Sequence, residues 1–494
     1  MIRHRKGHPM TLQSVLDDIR KRPGTGEVIP VVDPVTEEQI TEFTDCGPEA
    51  VDEAVGRART AFESGAWRGL AARDRAKIMW RLADLMDEHA QEFAEIDSLN
   101  TGMPLAQAQM IVPTCAEFFR YYAGWCTKVS GSAYEVQMAG GVSGAFTSMD
   151  AYTLKEPYGV VGLIFPWNGP IFNACAKIAP ALAAGCSSVV KPAEETPLSA
   201  LLLDRLITEA GVPDGVVNML TGYGHTAGAA ITAHPDVEKV AFTGSTEVGK
   251  QIVQASAGNL KKVMLELGGK SPVIIFDDAD LDMAIMMASM GIFIHSGQGC
   301  VCGSRIFVQR TVYDRVVEGI ATIANNLKLG GPKEEGSMSG PLISAKQLRR
   351  VMGYIDEGKA DGVEVVTGGH RLDRTGYFVH PTVLTKVDPA TSRLYREEIF
   401  GPVVTVLPFD TEEEAAALAN DTTYGLAATA WTTNLSRGHR IAKLLRAGTV
   451  TLNCQLVFDH SVPFGGYKQS GWGHEFGREG IEAYLQTKSV WAQL

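Results

Sequence analysis

The chain has 494 residues, 45% of them hydrophobic, which is more than one small core requires and points to two or three domains. Its 57 acidic against 45 basic residues leave a net charge of −12, which disfavours a nucleic-acid partner. No run approaches the roughly 18–20 consecutive apolar residues of a membrane span, so no membrane partner is expected.

Residues Met1–Lys6 are basic, but no apolar core or small-residue cleavage site follows them, and Asp17 and Asp18 interrupt the one candidate amphipathic stretch. Residues 1–25 read as a loosely ordered lead, and a secreted fate is not expected. The eight cysteines show no CxxC pair and no regular spacing, so neither a disulfide framework nor a zinc ribbon is expected. A reducing, cytoplasmic compartment fits that usage.

Residues 48–68 and 72–98 carry apolar positions at helical spacing and read as surface helices. Residues 131–154 read as an extended segment. The run 159–165 is short, apolar and β-branched and ends at Pro166, as a buried strand does. An Ala-rich helix over 171–184, a strand at 187–190 and a helix over 197–210 follow. This βαβα grammar implies a parallel sheet covered on both faces. It repeats with strands at 239–242, 263–265, 273–276, 305–308 and 403–409, and helices near 247–257, 279–292, 311–327 and 412–420. Two α/β units are expected, with a second extended segment at 484–494 able to pair with another element or subunit.

Five segments carry chemistry. In Gly297-Gln298-Gly299-Cys300-Val301-Cys302-Gly303-Ser304-Arg305, three glycines let backbone approach a ligand beside two thiols. The thiols suit either a nucleophile or buried structural cysteines. No neighbouring cluster completes a tetrahedral metal set, so no metal is expected. In Leu265-Glu266-Leu267-Gly268-Gly269-Lys270 a carboxylate ends an apolar run, where burial would raise its pKa toward that of a general base, though a solvated strand-end Glu has the same pattern. Asn168, in Phe165-Pro166-Trp167-Asn168-Gly169-Pro170, is placed either to donate to an oxyanion or simply to cap a helix. Phe242-Thr243-Gly244-Ser245 leads into a helix whose N-terminus can take a pyrophosphate. Lys191 and Glu194 follow a strand where an acidic group can hold ribose hydroxyls, or are plain loop charges.

Taken together, in one order along nearly the whole chain from about residue 30, these segments resemble the aldehyde dehydrogenase superfamily in its NAD-linked hydrolytic branch. The resemblance implies two Rossmann-like parallel-sheet α/β domains and a small β arm for oligomerisation. The implied boundaries are 26–130 with 155–262 for the NAD-binding domain, 263–460 for the catalytic domain, and 131–154 with 478–494 for the arm. It makes Cys300 the implied nucleophile, Glu266 the base, Asn168 the side-chain oxyanion donor, and Lys177 and Glu475 participants in proton release. Lys191 and Glu194 match adenosine-ribose contacts and predict NAD over NADP, and Gly244 and Ser245 match the pyrophosphate loop. Glu398 and Phe400 match a nicotinamide-ribose clamp and Gln347 another ribose contact. Ile164, Phe165, Pro166, Trp167, Gly224 and Leu267 complete the implied cofactor set. Cys302 stands where the family usually has Ala.

Around Asn168 the family's detoxifying members often have large side chains where this chain has Gly169, Asn173 and Ala176. Small residues there widen the mouth, so a bulky apolar aldehyde, aromatic or terpenoid, is expected, with Phe293, Val301, Val457 and Phe458 as walls. Two rival readings stay open. One is a CoA-acylating semialdehyde dehydrogenase, against which Glu266 argues because a hydrolytic base would compete with CoA. The other is a non-catalytic member of the fold, against which the presence of Cys300, Glu266 and Asn168 argues. A dimer or a tetramer of this chain is implied.

Overall fold

The run Val160–Phe165 forms a strand buried at every position, because branched apolar residues on both faces leave nothing to put toward water. Gly169 and Pro170 then start the helix Pro170–Ala184, which Gly185 ends in the left-handed conformation that glycine favours there. This is the βα unit on which the computed structural model is built; residues 11–22, 24–139 and 146–493 are described.

Five parallel strands, in the spatial order Val217–Met219, Ser187–Pro192, Val160–Phe165, Lys239–Thr243 and Lys262–Glu266, make the first sheet. The strand order reverses between Val160–Phe165 and Lys239–Thr243, and a ligand crevice opens at the carboxyl ends of strands at such a switch point. A short strand, Gly471–Trp472, returns from near the end of the chain to pair antiparallel with Leu265 and Glu266. The second sheet has seven strands, in the order Glu364–Thr367, Thr382–Thr385, Val403–Phe409, Arg305–Gln309, Pro272–Ile275, Ala427–Trp431 and Thr449–Leu452. Within it only the edge pair 364–367 with 382–385 is antiparallel. Leu485–Gln493, Phe146–Pro157 and Ala133–Ala139 form a separate antiparallel arm.

Several expectations are corrected. The lead of residues 1–25 contains a helix, Leu12–Ile19, where Leu12, Val15, Leu16 and Ile19 recur at helical spacing. Thr11 and Ser14 close a capping box, Val15, Leu16 and Ile19 are buried, and Arg205 Nε donates to Asp18 Oδ2 at 2.7 Å, docking the helix on Leu198–Ala210. Residues 1–10 of that expectation lie outside the described residues. The expected division at 262/263 falls later, because Lys262–Glu266 pairs in register with Lys239–Thr243, so the second sheet begins only at Pro272. The expected 72–98 helix is two, Ala72–Glu88 and Ala90–Thr101, broken at His89. Residues 155–157 belong to the arm, whereas 478–482 lie in a helix that packs on Pro170–Ala184. Among the described residues no helix is long and apolar enough to cross a membrane.

Ile19 is fully buried, so Ile19→Ala is expected to cost about 2–5 kcal/mol. Chemical denaturation of the variant beside the parent checks it.

Candidate active site

The loop that carries Cys300 is shaped by backbone before side chains matter. The helix Leu281–Phe293 ends, and His295, Ser296 and Gly297 take φ values of 57°, 53° and 68°, three left-handed residues in succession. The segment 339–343 holds that path. Ser339 Oγ accepts from Ser296 N at 3.1 Å and donates to Phe293 O at 2.7 Å, while Gln298 Oε1 accepts from Ile343 N at 2.9 Å. Cys302 N donates to Gly299 O at 3.1 Å, closing a turn with Cys300 and Val301 at its centre. A Cβ on Gly269 would lie 2.2 Å from Cys300 O, and one on Gly297 would lie 2.0 Å from Gly401 O. Glycine is therefore required at both places.

Asn168 faces this loop from the end of the strand Val160–Phe165. Its Nδ2 donates to Gln298 O at 2.8 Å, which uses one amide proton and leaves the other free. Glu266 ends the strand Lys262–Glu266, one strand further across the sheet beyond Lys239–Thr243, with 3% of its surface exposed, and neither carboxylate oxygen has a hydrogen-bond partner. Burial pushes its carboxyl well above the ordinary range, and the charge of Glu475 adds to this while Lys177 opposes it. Lys177 and Glu475 form a buried ion pair. Burial also raises the Cys300 thiol, with Glu398, Glu266 and Cys302 adding to the effect, and raises Cys302 to about 12. Glu266 thus lies close enough for its charge to act on Cys300, and Lys177 and Glu475 on Glu266, while Asn168 bonds to the Cys300 loop.

The other rim fits a dinucleotide. Ser245 caps the helix Thr246–Ser256 by accepting from Val248 N at 3.3 Å, and the adjoining free N–H groups suit a pyrophosphate. The helix rides on Leu267, since a Cβ on Gly249 would meet its Cδ2 at 2.6 Å. Lys191 Nζ donates to Glu194 Oε2 at 3.2 Å beside the turn that Gly224 begins. Ile164 and Phe165 are buried in the strand, and the Trp167 ring meets Phe400 edge-on at 5.3 Å. Glu398 Oε1 accepts from Gly269 N at 2.9 Å, and burial raises its carboxyl to about 7. The Gln347 amide donates to Phe400 O at 2.8 Å and to Ile399 O at 3.3 Å, which supports the left-handed Phe400 (φ 61°) and leaves only its oxygen for a ligand. Among the described residues no group of three His, Cys, Asp or Glu side chains gathers as for a metal ion.

The substrate side differs from expectation. Phe293 is fully buried in the core of the second sheet, among Ile292, Val273 and Ile306, and Ala176 faces the core of the first domain; neither lines the mouth. Their helices place them on the core-facing stripe, which residue type alone does not reveal. Val457 and Phe458 are exposed at 54% and 49%, and Val301 is half-buried in the Cys300 turn. Asn173 Nδ2 donates to Gly169 O at 2.8 Å. Phe458, expected as a wall, belongs to an aromatic cluster whose other rings sequence reasoning missed. Phe118 packs edge-on against Phe172 at 5.2 Å, Phe172 reaches Phe458 at 6.4 Å, Phe458 meets Phe464 at 5.7 Å, and Phe464 stacks on Phe476 at 5.5 Å. Phe172, four residues beyond Asn168, was the available signal.

The model of the aldehyde dehydrogenase family matches residues 21–490. The chain belongs to the aldehyde dehydrogenase family. Among its relatives, an aldehyde dehydrogenase of Emericella nidulans is 46% identical over 466 residues, 94% of this chain and 92% of that one. The mitochondrial benzaldehyde dehydrogenase of Antirrhinum majus is 44% identical over 468 residues, 94% of this chain and 86% of that one. The structure of the aldehyde dehydrogenase of Bacillus cereus in complex with NAD+ superposes with a TM-score of 0.92 at 44% identity, covering 97% of this chain and 98% of that one.

In this aldehyde dehydrogenase the Lys177–Glu475 pair is closed off from water, so removing one partner leaves the other charge uncompensated. Lys177→Met is expected to lower stability by about 3–5 kcal/mol, and Lys177→Met with Glu475→Leu to recover much of it. Denaturation curves of the single and double variants decide.

Proposed function

We propose that this chain oxidises a bulky, apolar, aromatic aldehyde to its carboxylic acid with NAD and water. The supporting observation is an unpartnered, buried Glu266 carboxyl whose charge acts on Cys300, with the Asn168 amide bonded to the Cys300 loop. The Cys300 thiolate adds to the aldehyde carbon. The resulting oxyanion accepts from the free Asn168 Nδ2 proton and from the Cys300 N–H, fixed donors that need no reorganisation as charge develops. When bound, NAD supplies the acceptor for the hydride that this carbon loses, and a thioester remains on Cys300. Glu266 then takes a proton from water, hydroxide adds to the thioester, and the acid leaves as the thiolate is restored. The Lys177–Glu475 pair, charged and adjacent, carries the proton onward from Glu266.

Ser245 and the helix it caps hold the pyrophosphate, and Lys191 and Glu194 the adenosine ribose, where the Glu194 carboxylate repels a 2′-phosphate. Glu398 with Phe400 orients the nicotinamide ribose. Phe172, Phe458 and Phe464, backed by the buried Phe118 and Phe476, offer ring edges and faces to a planar substrate, in keeping with a benzaldehyde dehydrogenase at 44% identity. The arm exposes Tyr134 and Trp491 on one face and Tyr152 and Leu154 on the other, apolar surface suited to pairing copies of this chain as a dimer or tetramer. All eight cysteines carry free thiols, which suits a reducing, cytoplasmic setting.

The assay is NADH absorbance on adding an aldehyde. Cys300→Ser is expected to abolish the signal, and Asn168→Ala to lower kcat by about 10²–10³-fold. Glu266→Gln should leave a single stoichiometric burst of NADH without turnover; a fully active Glu266→Gln would remove the base from the scheme. Because the base must be ionised and burial raises its pKa, kcat should climb with pH well above the ordinary carboxylate range. Benzaldehyde should exceed acetaldehyde in kcat/KM; equal values would overturn the aromatic assignment.

A further inference from the structure

The two donors proposed for the oxyanion come from different domains. Asn168 extends the strand Val160–Phe165 of the first sheet, whereas the Cys300 N–H hangs from the helix Leu281–Phe293 over the second. Catalysis needs them registered to a fraction of an ångström, so something must tie the two backbones together. One tie is the Asn168 Nδ2 to Gln298 O bond already described. The other reaches the Asn168 main chain: His295 Nε2 lies 2.7 Å from Asn168 O.

We infer that His295 is a positioning residue that registers the Asn168 amide against the Cys300 loop. The inference rests on the oxyanion role proposed for Asn168. A carbonyl oxygen only accepts, so Nε2 carries the proton of this bond. Burial favours the uncharged ring, and the bond persists in either protonation state because Nε2–H is present in both. His295 is itself braced. Gln298 N donates to its carbonyl at 3.1 Å and Gln298 Nε2 at 3.2 Å, and the same Gln298 carbonyl receives the Asn168 amide. Asn168 is thereby held at its main-chain oxygen and at its side-chain nitrogen by a loop that Ser339 anchors to the second domain. The left-handed backbone at His295 (φ 57°, ψ 25°) swings the imidazole back toward Asn168; a residue in ordinary helical conformation would project elsewhere.

Three replacements separate reach from backbone fit. His295→Gln keeps a donor at about the same reach, His295→Met fills similar space without a donor, and His295→Asn suits the left-handed backbone but is too short. In the full-length enzyme His295→Met and His295→Asn should lower kcat by about 100-fold with KM changed much less, while His295→Gln restores most of kcat. Carboxymethylation of Cys300 by iodoacetate, located by mass spectrometry, passes through no oxyanion and should proceed at the parent rate in all three. Parent-like kcat in His295→Met would overturn the inference, and so would a parallel loss of kcat and alkylation rate, which marks collapse of the loop. A parent enzyme that forms no NADH with any aldehyde would instead overturn the functional reading beneath it.

Discussion

The loop that carries Cys300 is set by bare backbone on both of its sides. Cys300 O sits where a side chain on Gly269 would have to be, at 2.2 Å, and Gly401 O crowds Gly297 in the same way at 2.0 Å. No rearrangement of side chains could relieve either contact, since both neighbours are main chain. Gly269 also directs its N–H to Glu398, so one residue without a side chain sets the thiol loop on one side and the Glu398 carboxylate on the other. His295 and Ser296, left-handed without being glycine, carry a cost of order 1–3 kcal/mol each that the bonds to Ser339, Ile343 and Asn168 hold in place.

Electrostatics follow from the same closeness. Glu266 has no hydrogen-bond partner, and its nearest charged company is a pair whose two members act on it in opposite senses. The pair neutralises itself, so burial dominates and the carboxyl stays protonated far longer than an exposed one would. A group left in that condition is costly for folding and useful for proton transfer, which is the usual compromise of a reaction site.

Much of this was legible in the residues. The alternation of branched apolar runs with Ala-rich helical stretches specifies parallel sheets because only strands buried on both faces read that way, and the glycine-flanked Cys300, Glu266 and Asn168 segments each announce a place where backbone must come close. Other parts were hidden for physical reasons. The helix Leu105–Trp125 contains Pro113, which argues against a helix interior, and exposes Met110 on its outer face where a polar residue would be expected. The wall formed by Phe118, Phe172, Phe458, Phe464 and Phe476 is drawn from four separate stretches, and only tertiary packing brings those rings together. Phe293 has the right residue type and the wrong azimuth, since helix phase, not chemistry, turns it into the core. The helix Leu12–Ile19 is amphipathic but short, and it depends on Arg205 and the face of a distant helix for its stability.

The strand Gly471–Trp472 lies against the strand that ends in Glu266, and Glu475 completes the charge pair with Lys177 from 298 positions further along the chain. On the ribosome, the first sheet can pair its parallel strands long before those residues emerge. Until they do, the carboxyl that ends the fifth strand has an open edge beside it, and the lysine on the adjoining helix has no counter-charge. The chemistry is therefore locked by the tail of the polypeptide, and a nascent chain passes through a state that has its thiol but not yet a sealed chamber around it.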